Sequence, residues 1–197
     1  MSSTRQQFIT TTCELLEEQG YHATGLNQIV TESGAPKGSL YYYFPQGKEE
    51  LASEAIAQTG QMVAARIAEN LSDEDDVARA VRRFVRRIAD SVEASGYRSG
   101  GPLMTVAMET ATTSVRLNHA CRDAYNLLQE AFAARFERAG FGAQRAEELA
   151  TFVTTTIEGG IVLSRTYHTG APLRRIAEEL GWFLQMANKE HEDTNSR

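Results

Sequence analysis

The strongest constraint on the fold lies in "SDEDDVARAVRRFVRRIADSVEA", residues 72–94. At ~100° per residue, Val77, Val81, Phe84, Val85, Ile88 and Val92 fall on one stripe. Arg79, Arg82, Arg83, Arg86 and Arg87 fall on the opposite one. The segment reads as a helix, with Ser72 as its N-cap and acids in its first turn, where the helix dipole favours them. The five arginines read as the solvated face opposite a core, and the alternative is a second nucleic-acid surface.

The same period runs through almost the whole chain, and no segment alternates as a half-buried strand would. Residues 5–19 place Phe8, Ile9, Thr12, Leu15 and Leu16 on one side, and Gly20 is a stop signal. Thr24 is placed to cap a short helix, "GLNQIVTES", which ends at Gly34. Pro36 suits the first turn of a third helix, "PKGSLYYYF", broken by Pro45 and Gly47. A long helix from Lys48 to Asn70 precedes the arginine-faced one. Further helices are expected at 102–112, 115–139, 143–168 and 173–188, and the polar end "KEHEDTNSR" is expected to fray. The expected fold is all-α, with about nine helices.

The net charge of −6 over 197 residues describes an ordinary globular chain. No apolar run approaches the ~18 residues of a bilayer span, so no membrane partner is expected. The start, "MSSTRQQF", lacks a signal peptide's apolar core, which makes the cytoplasm the expected location. Cys13 and Cys121 read as two separate buried thiols. His22, His119, His168 and His191 show no metal-ligand spacing, and no nucleophile–base arrangement suggests itself. Neither a metal, a cofactor nor an enzyme is therefore expected.

An acidic chain argues against nucleic acid only on average. Residues 1–50 hold Arg5, Lys37 and Lys48 against Glu14, Glu17, Glu18, Glu32, Glu49 and Glu50, yet Ser33 to Lys48 contains no acid. Within that window stands "APKGSLYYYFPQGKEEL". Short helix, tight turn, short helix is the geometry that presents its second helix to the major groove. Gly34 supplies the positive-φ position of the turn. Free amides at the start of the third helix, with Lys37 beside them, suit a phosphate. Gly38 permits close backbone approach, Ser39 is short enough to bond a phosphate or a base edge, and Tyr41 and Tyr42 can reach DNA with a hydroxyl. Leu40 and Phe44 are expected to point inward. Adjacent Tyr41, Tyr42 and Tyr43 point ~100° apart and cannot share one buried face.

Across residues 5–55, "GYHATGLNQIVTESGAPKGSLYYYFPQGKEEL" resembles the N-terminal domain of the TetR family of bacterial transcriptional regulators. The likeness is carried by Gly-Tyr and Ala-Thr before the second helix, by Ile29, by Gly34, and by Lys37-Gly38-Ser39-Leu40-Tyr41 running into Tyr43-Phe44. Many members place the next lysine three residues after the Phe, whereas "FPQGK" inserts one more. That insertion, with "GAPKGSLYYYFP" and "GGPL", is similar to the LmrA/YxaF-type subgroup, whose described members respond to antibiotics or flavonoids. The resemblance implies a homodimer binding double-stranded operator DNA, with Thr24, Pro36, Lys37, Gly38, Ser39, Tyr41 and Tyr42 facing it and Lys48 holding a phosphate. It further implies a DNA-binding head (1–50), a ligand-binding and dimerisation body (51–190) and a flexible tail (191–197).

For the body, the candidate pocket residues are Met62, Met104, Met108, Tyr125, Phe132 and Glu158, adaptable apolar side chains around a carboxylate in the uncharged stretch "TTTIEGGIVL". Glu109, His119 and Arg122 are further polar candidates there. Gly159 and Gly160 each cost roughly 1 kcal/mol inside a helix, and close helix–helix approach is the usual compensation. Gly160, Ile161, Ile176, Leu180 and Phe183, with Leu163, Leu173, Trp182 and Met186 nearby, are accordingly the candidate dimer surface, with intramolecular packing as the alternative. The expected function is a ligand-responsive repressor released by a small aromatic or hydrophobic effector. The alternative is a helical small-molecule-binding protein that does not touch DNA.

Overall fold

The computed structural model describes residues 3–195, and the side chains of 189–195 lie outside that description. Among the described residues there are nine α-helices and no strand. They are α1 (Thr4–Ala23), α2 (Leu26–Ser33), α3 (Lys37–Tyr43), α4 (Lys48–Ser72), α5 (Val77–Ala94), α6 (Met104–Thr110), α7 (Val115–Arg138), α8 (Ala143–Tyr167) and α9 (Ala171–Asn195). None is long and apolar enough to cross a membrane.

Several ends differ from the sequence expectation for local reasons. Ser72 closes α4 and its hydroxyl donates to the Glu69 carbonyl. The N-cap of α5 is instead Asp76, whose carboxylate accepts the N–H groups of Ala78 and Arg79 at 2.9 and 3.1 Å. A charged acceptor at the cap satisfies two amides at once, which a hydroxyl four residues upstream cannot do. Helix α9 continues through Asn195, so the backbone of 191–195 is helical, and residues 196–197 of the expected tail lie outside the described residues.

The helices group into two compact units, Met1–Met62 with Gly101–Asn126, and Val63–Gly100 with Leu127–Arg197. This division differs from a cut at residue 50. The unit that holds α1–α3 also takes in α6 and the start of α7.

In the first unit, Phe8, Ile9, Leu15 and Leu16 of α1 are buried with Ile29, Leu40, Phe44, Leu51, Ile56, Val106 and Leu117. Phe8 and Phe44 meet edge to face at 6.3 Å between centroids. The Arg5 guanidinium lies 5.2 Å from the Phe44 ring and pairs with Glu54 of α4. Gly60 is required by packing: a Cβ there would fall 2.7 Å from the Cβ of Ala124, so α4 and α7 touch almost backbone to backbone.

The second unit is built on the α5 stripe. Val77, Val81, Phe84, Val85 and Val92 are buried, and rings follow one another from Phe84 to Phe132 (6.0 Å), Phe136 (6.3 Å) and Phe141 (6.4 Å). The opposite arginines are engaged by the chain itself. Arg82 and Arg86 reach Glu178, Arg83 and Arg87 reach Asn70, and Arg79 reaches Glu74 and Asp76. With their charges so engaged, the second nucleic-acid surface loses its support. One cation is interior: Arg135 is 6% exposed and donates to the carbonyls of Leu71, Glu74 and Asp75 at 2.7–2.9 Å, closing the C-terminus of α4.

Candidate nucleic-acid interface

Helix α2 starts after Gly25, which offers no side-chain cap, and ends on Gly34 in the left-handed region (φ 64°). Ala35 is buried, Pro36 caps α3, and the Ser39 N–H donates to the Pro36 carbonyl at 2.9 Å. The seven residues of α3 then divide by rotation. Leu40 (1% exposed) and the following Phe44 (0%) anchor it, which leaves Tyr41 (60%) and Tyr42 (79%) in solvent. Tyr43 is half-buried, with its ring edge to face on Tyr42 at 4.9 Å.

Pro36, Lys37 and Gly38 are exposed, as the two tyrosines are, and Ser39 is half-buried. A Cβ placed on Gly38 would meet nothing within 4 Å. The chain's own packing therefore does not demand glycine there. The flanking acids are turned to internal work: Glu50 accepts the Gln46 N–H at 2.9 Å and Glu49 accepts the Ser114 hydroxyl.

Two of the expected DNA-facing residues have polar atoms engaged within the chain. Thr24 is 1% exposed, and its hydroxyl donates to the Gly20 carbonyl at 2.6 Å. It closes the end of α1 and does not cap α2, whose N-cap is Gly25. Lys48 is half-buried, and its ammonium donates to the Tyr21 carbonyl at 2.6 Å while lying 4.0 Å from the Tyr21 ring centroid. Burial holds its pKa below the ordinary lysine value, against the opposing pull of the Glu109 charge. Within "FPQGK", the turn before α4 ends at Gly47 (φ 73°), and α4 starts at Lys48 itself.

The body candidates are dispersed. Met62, Met104, Met108 and Tyr125 fall in the first unit, and Phe132 and Glu158 in the second. Met62 and Met108 are exposed, Met104 and Tyr125 are half-buried, and Phe132 is buried within the ring series. His119 and Arg122 are exposed, and Arg122 pairs with Asp123. Glu109 is occupied by amides of α1, which it accepts at 2.6 and 3.1 Å. One helical turn before the half-buried Glu158, the Thr154 hydroxyl is buried with no hydrogen-bond partner among the described residues.

Of the interface candidates, Gly160, Ile161 and Leu180 are buried in the chain's own unit. A Cβ on Gly160 would meet the Ile176 Cδ1 at 2.6 Å and the Leu173 Cδ2 at 2.9 Å, so this glycine serves α8–α9 packing. Ile176 and Phe183 are half-buried. Of the residues expected around them, Leu163, Trp182 and Met186 are exposed, and Phe152, Gly159 and Tyr167 of α8 are exposed as well. Phe152 and Phe183 join the two helices at 4.9 Å.

No local pattern announces the contacts made from residues 109–116. Glu109 holds Tyr21 and His22, Ser114 holds Glu49, and Arg116 donates to Gln46 in the turn before α4. Each partner is 65 or more residues away in sequence.

An all-α chain that presents one aromatic, lysine-bearing helix from a helix-turn-helix belongs structurally to the class of helix-turn-helix transcriptional regulators. Comparison places it within that class. Residues 8–55 match the bacterial regulatory proteins of the tetR family, and residues 77–179 match the C-terminal domain of LmrA/YxaF-like transcriptional regulators. The chain is 41% identical to the HTH-type transcriptional regulator YxaF of Bacillus subtilis over 176 residues, covering 89% of this chain and 92% of that one. It is 37% identical to LmrA of the same organism over 173 residues, covering 88% and 92%. Its fold superposes on a TetR transcriptional regulator from Legionella pneumophila with a TM-score of 0.80 at 20% identity, over 93% and 98% of the two chains. The chain belongs to the TetR family of bacterial transcriptional regulators, in the branch with an LmrA/YxaF-like C-terminal domain.

Proposed function

We propose that this regulator is a homodimeric repressor that reads a pseudo-palindromic operator with α3 and leaves it when a small aromatic or hydrophobic effector binds. The observation that carries the DNA-reading part is the division of α3. Two buried anchors, Leu40 and Phe44, fix the helix, while Pro36, Lys37, Gly38, Tyr41 and Tyr42 are exposed and Ser39 is half-buried. Gly38 supports the same reading, since its missing side chain makes room only for something outside the chain. Lys37 would supply salt-dependent phosphate affinity, and Ser39, Tyr41 and Tyr42 would supply contacts at base edges and backbone. Thr24 and Lys48 are left out of this surface because their polar atoms are engaged within the chain.

Two such heads reach successive major grooves only as a dimer. The face we assign to it is the exposed stripe of Phe152, Gly159, Leu163 and Tyr167 with Trp182, Met186 and the edge of Phe183. Gly159 supports it, because a Cβ there meets nothing in this chain while glycine costs a helix roughly 1 kcal/mol. For the effector, Thr154 and Glu158 offer polar groups one helical turn apart in an aromatic-rich unit, and the Thr154 hydroxyl has no partner among the described residues. Release requires the effector to bind the DNA-free arrangement more tightly than the DNA-bound one.

Fluorescence anisotropy on the promoter DNA of its own gene tests the reading. Wild type should bind with a steep salt dependence. Lys37→Ala should weaken binding and lower the slope of log K against log salt by about 0.9, and Tyr42→Ala should weaken operator more than random DNA. Binding of both variants indistinguishable from wild type would remove α3 as the reader.

A further inference from the structure

We propose that Glu109 is a positioning residue for DNA binding: its carboxylate, reaching from α6, holds the five-residue exit of α1 from which the helix-turn-helix hangs. The proposal rests on the DNA-reading function proposed above, and its test separates the two.

Helix α1 is interrupted at Gly20, whose φ of 79° and ψ of −177° belong to glycine, and restarts for one turn over Tyr21–Ala23. A restarted helix presents amides with no carbonyl one turn behind them. Here the N–H groups of Tyr21 and His22 donate to the same carboxylate oxygen, Glu109 Oε2, at 2.6 and 3.1 Å. Negative charge is favoured at the start of a helical turn, and a charged acceptor strengthens both bonds. The carboxylate lies against the glycine itself: a Cβ on Gly20 would fall 2.6 Å from Glu109 Oε1 and 2.8 Å from Thr105 Cγ2. Gly20 is thus needed twice, for its φ and for the room it leaves to Glu109.

The other side of the same segment is held equally. Lys48 donates to the Tyr21 carbonyl, and Thr24 donates to the Gly20 carbonyl. Helix α2 begins two residues after Thr24, so a rotation about Gly20–Thr24 is a rotation of α2 and α3. Glu109 is itself fixed, because Val106 and Thr110 on either side of it are buried. It therefore acts on DNA through Tyr21 and His22 and touches none.

The test uses the full-length protein with Glu109→Ala, Glu109→Gln and Glu109→Asp, and with Met108→Ala as a control on the exposed side of α6. Operator affinity, melting temperature and hydrogen exchange of the 20–24 segment are read together. Glu109→Ala should lose operator affinity by roughly tenfold or more and exchange Tyr21 and His22 amides faster. Glu109→Gln keeps an acceptor and should stay within about threefold of wild type in affinity, with the segment still protected. Should Glu109→Ala fail to fold, Glu109→Asp decides: it keeps the charge but withdraws the carboxylate by a methylene, and should exchange faster and bind less tightly. Met108→Ala should match wild type. Wild-type affinity and protection in Glu109→Ala and Glu109→Asp overturn the proposal, as does a loss of affinity that only follows a lowered melting temperature. If wild type binds no DNA, the function proposed above fails, and the exchange comparison alone decides whether Glu109 holds the exit of α1.

Discussion

The ammonium of Lys48 donates to the Tyr21 carbonyl at 2.6 Å and sits 4.0 Å from the centroid of that residue's ring. A cation that looked free in the sequence thus ties the start of α4 to the exit of α1. Its neighbour in the acid-free window, Lys37, stays in solvent.

The two lysines should separate in a salt titration. Lys37→Ala should reduce the salt slope of DNA binding by about 0.9, whereas Lys48→Met should leave that slope unchanged. Lys48→Met should instead lower unfolding stability by about 1–2 kcal/mol, from one charged hydrogen bond and a cation–ring contact. Urea unfolding and anisotropy on the same preparations check this; a reduced slope for Lys48→Met would return it to the DNA surface.

Arg135 closes α4 from inside the second unit. Removing its guanidinium leaves three carbonyls without a donor, so Arg135→Met should cost about 3 kcal/mol in chemical unfolding. Lysine has its donors on a single nitrogen and cannot reproduce the separate Nε and Nη2 bonds, so Arg135→Lys should recover only a minor part of that loss. A near-neutral Arg135→Met would show that water replaces the side chain.

Glu93 should give the protein an acid-sensitive term. Hydrogen bonds from Arg174, then from the Gly170 N–H, hold its carboxyl down to about 2, against an ordinary 4.5. A depressed folded-state pKa adds stability that is full above the ordinary value and is lost as pH falls from 4.5 toward 2. The melting-temperature gap between wild type and Glu93→Gln should therefore be widest at neutral pH and close across that interval. The pair is solvent-facing, so the gap should be small and should shrink further in high salt.

Gly159 and Gly160 are adjacent and should respond differently. Gly160→Ala drives a methyl into Ile176 and Leu173 of the same chain and should destabilise it at every protein concentration. Gly159→Ala has room within the chain and should gain roughly 1 kcal/mol of helix stability as a monomer. It should still weaken the dimer if a partner packs there, and Leu163→Arg should weaken it far more. Sedimentation equilibrium decides; an unchanged dimer for both variants would move the interface to another face.

What the residues determine locally was readable in order. Helical period set the all-α class, Gly34 and Pro36 set the turn between α2 and α3, and the four-residue spacing of Leu40 and Phe44 in "SLYYYF" set these two inward and Tyr41 and Tyr42 outward. These features depend on rotation along one helix, which a sequence carries in its spacing.

What spacing does not carry is the partner a polar atom finds once the helices are packed. Thr24 and Lys48 stand in the right motif, yet their polar atoms are taken by the carbonyls of Gly20 and Tyr21. The arginines of α5, which looked like one solvated face, are distributed among Glu178, Asn70, Glu74 and Asp76. Of two consecutive glycines, only Gly160 meets a neighbouring helix. A hydrogen bond or a close approach is decided within a few tenths of an ångström, and only the packed tertiary structure brings distant groups to that precision.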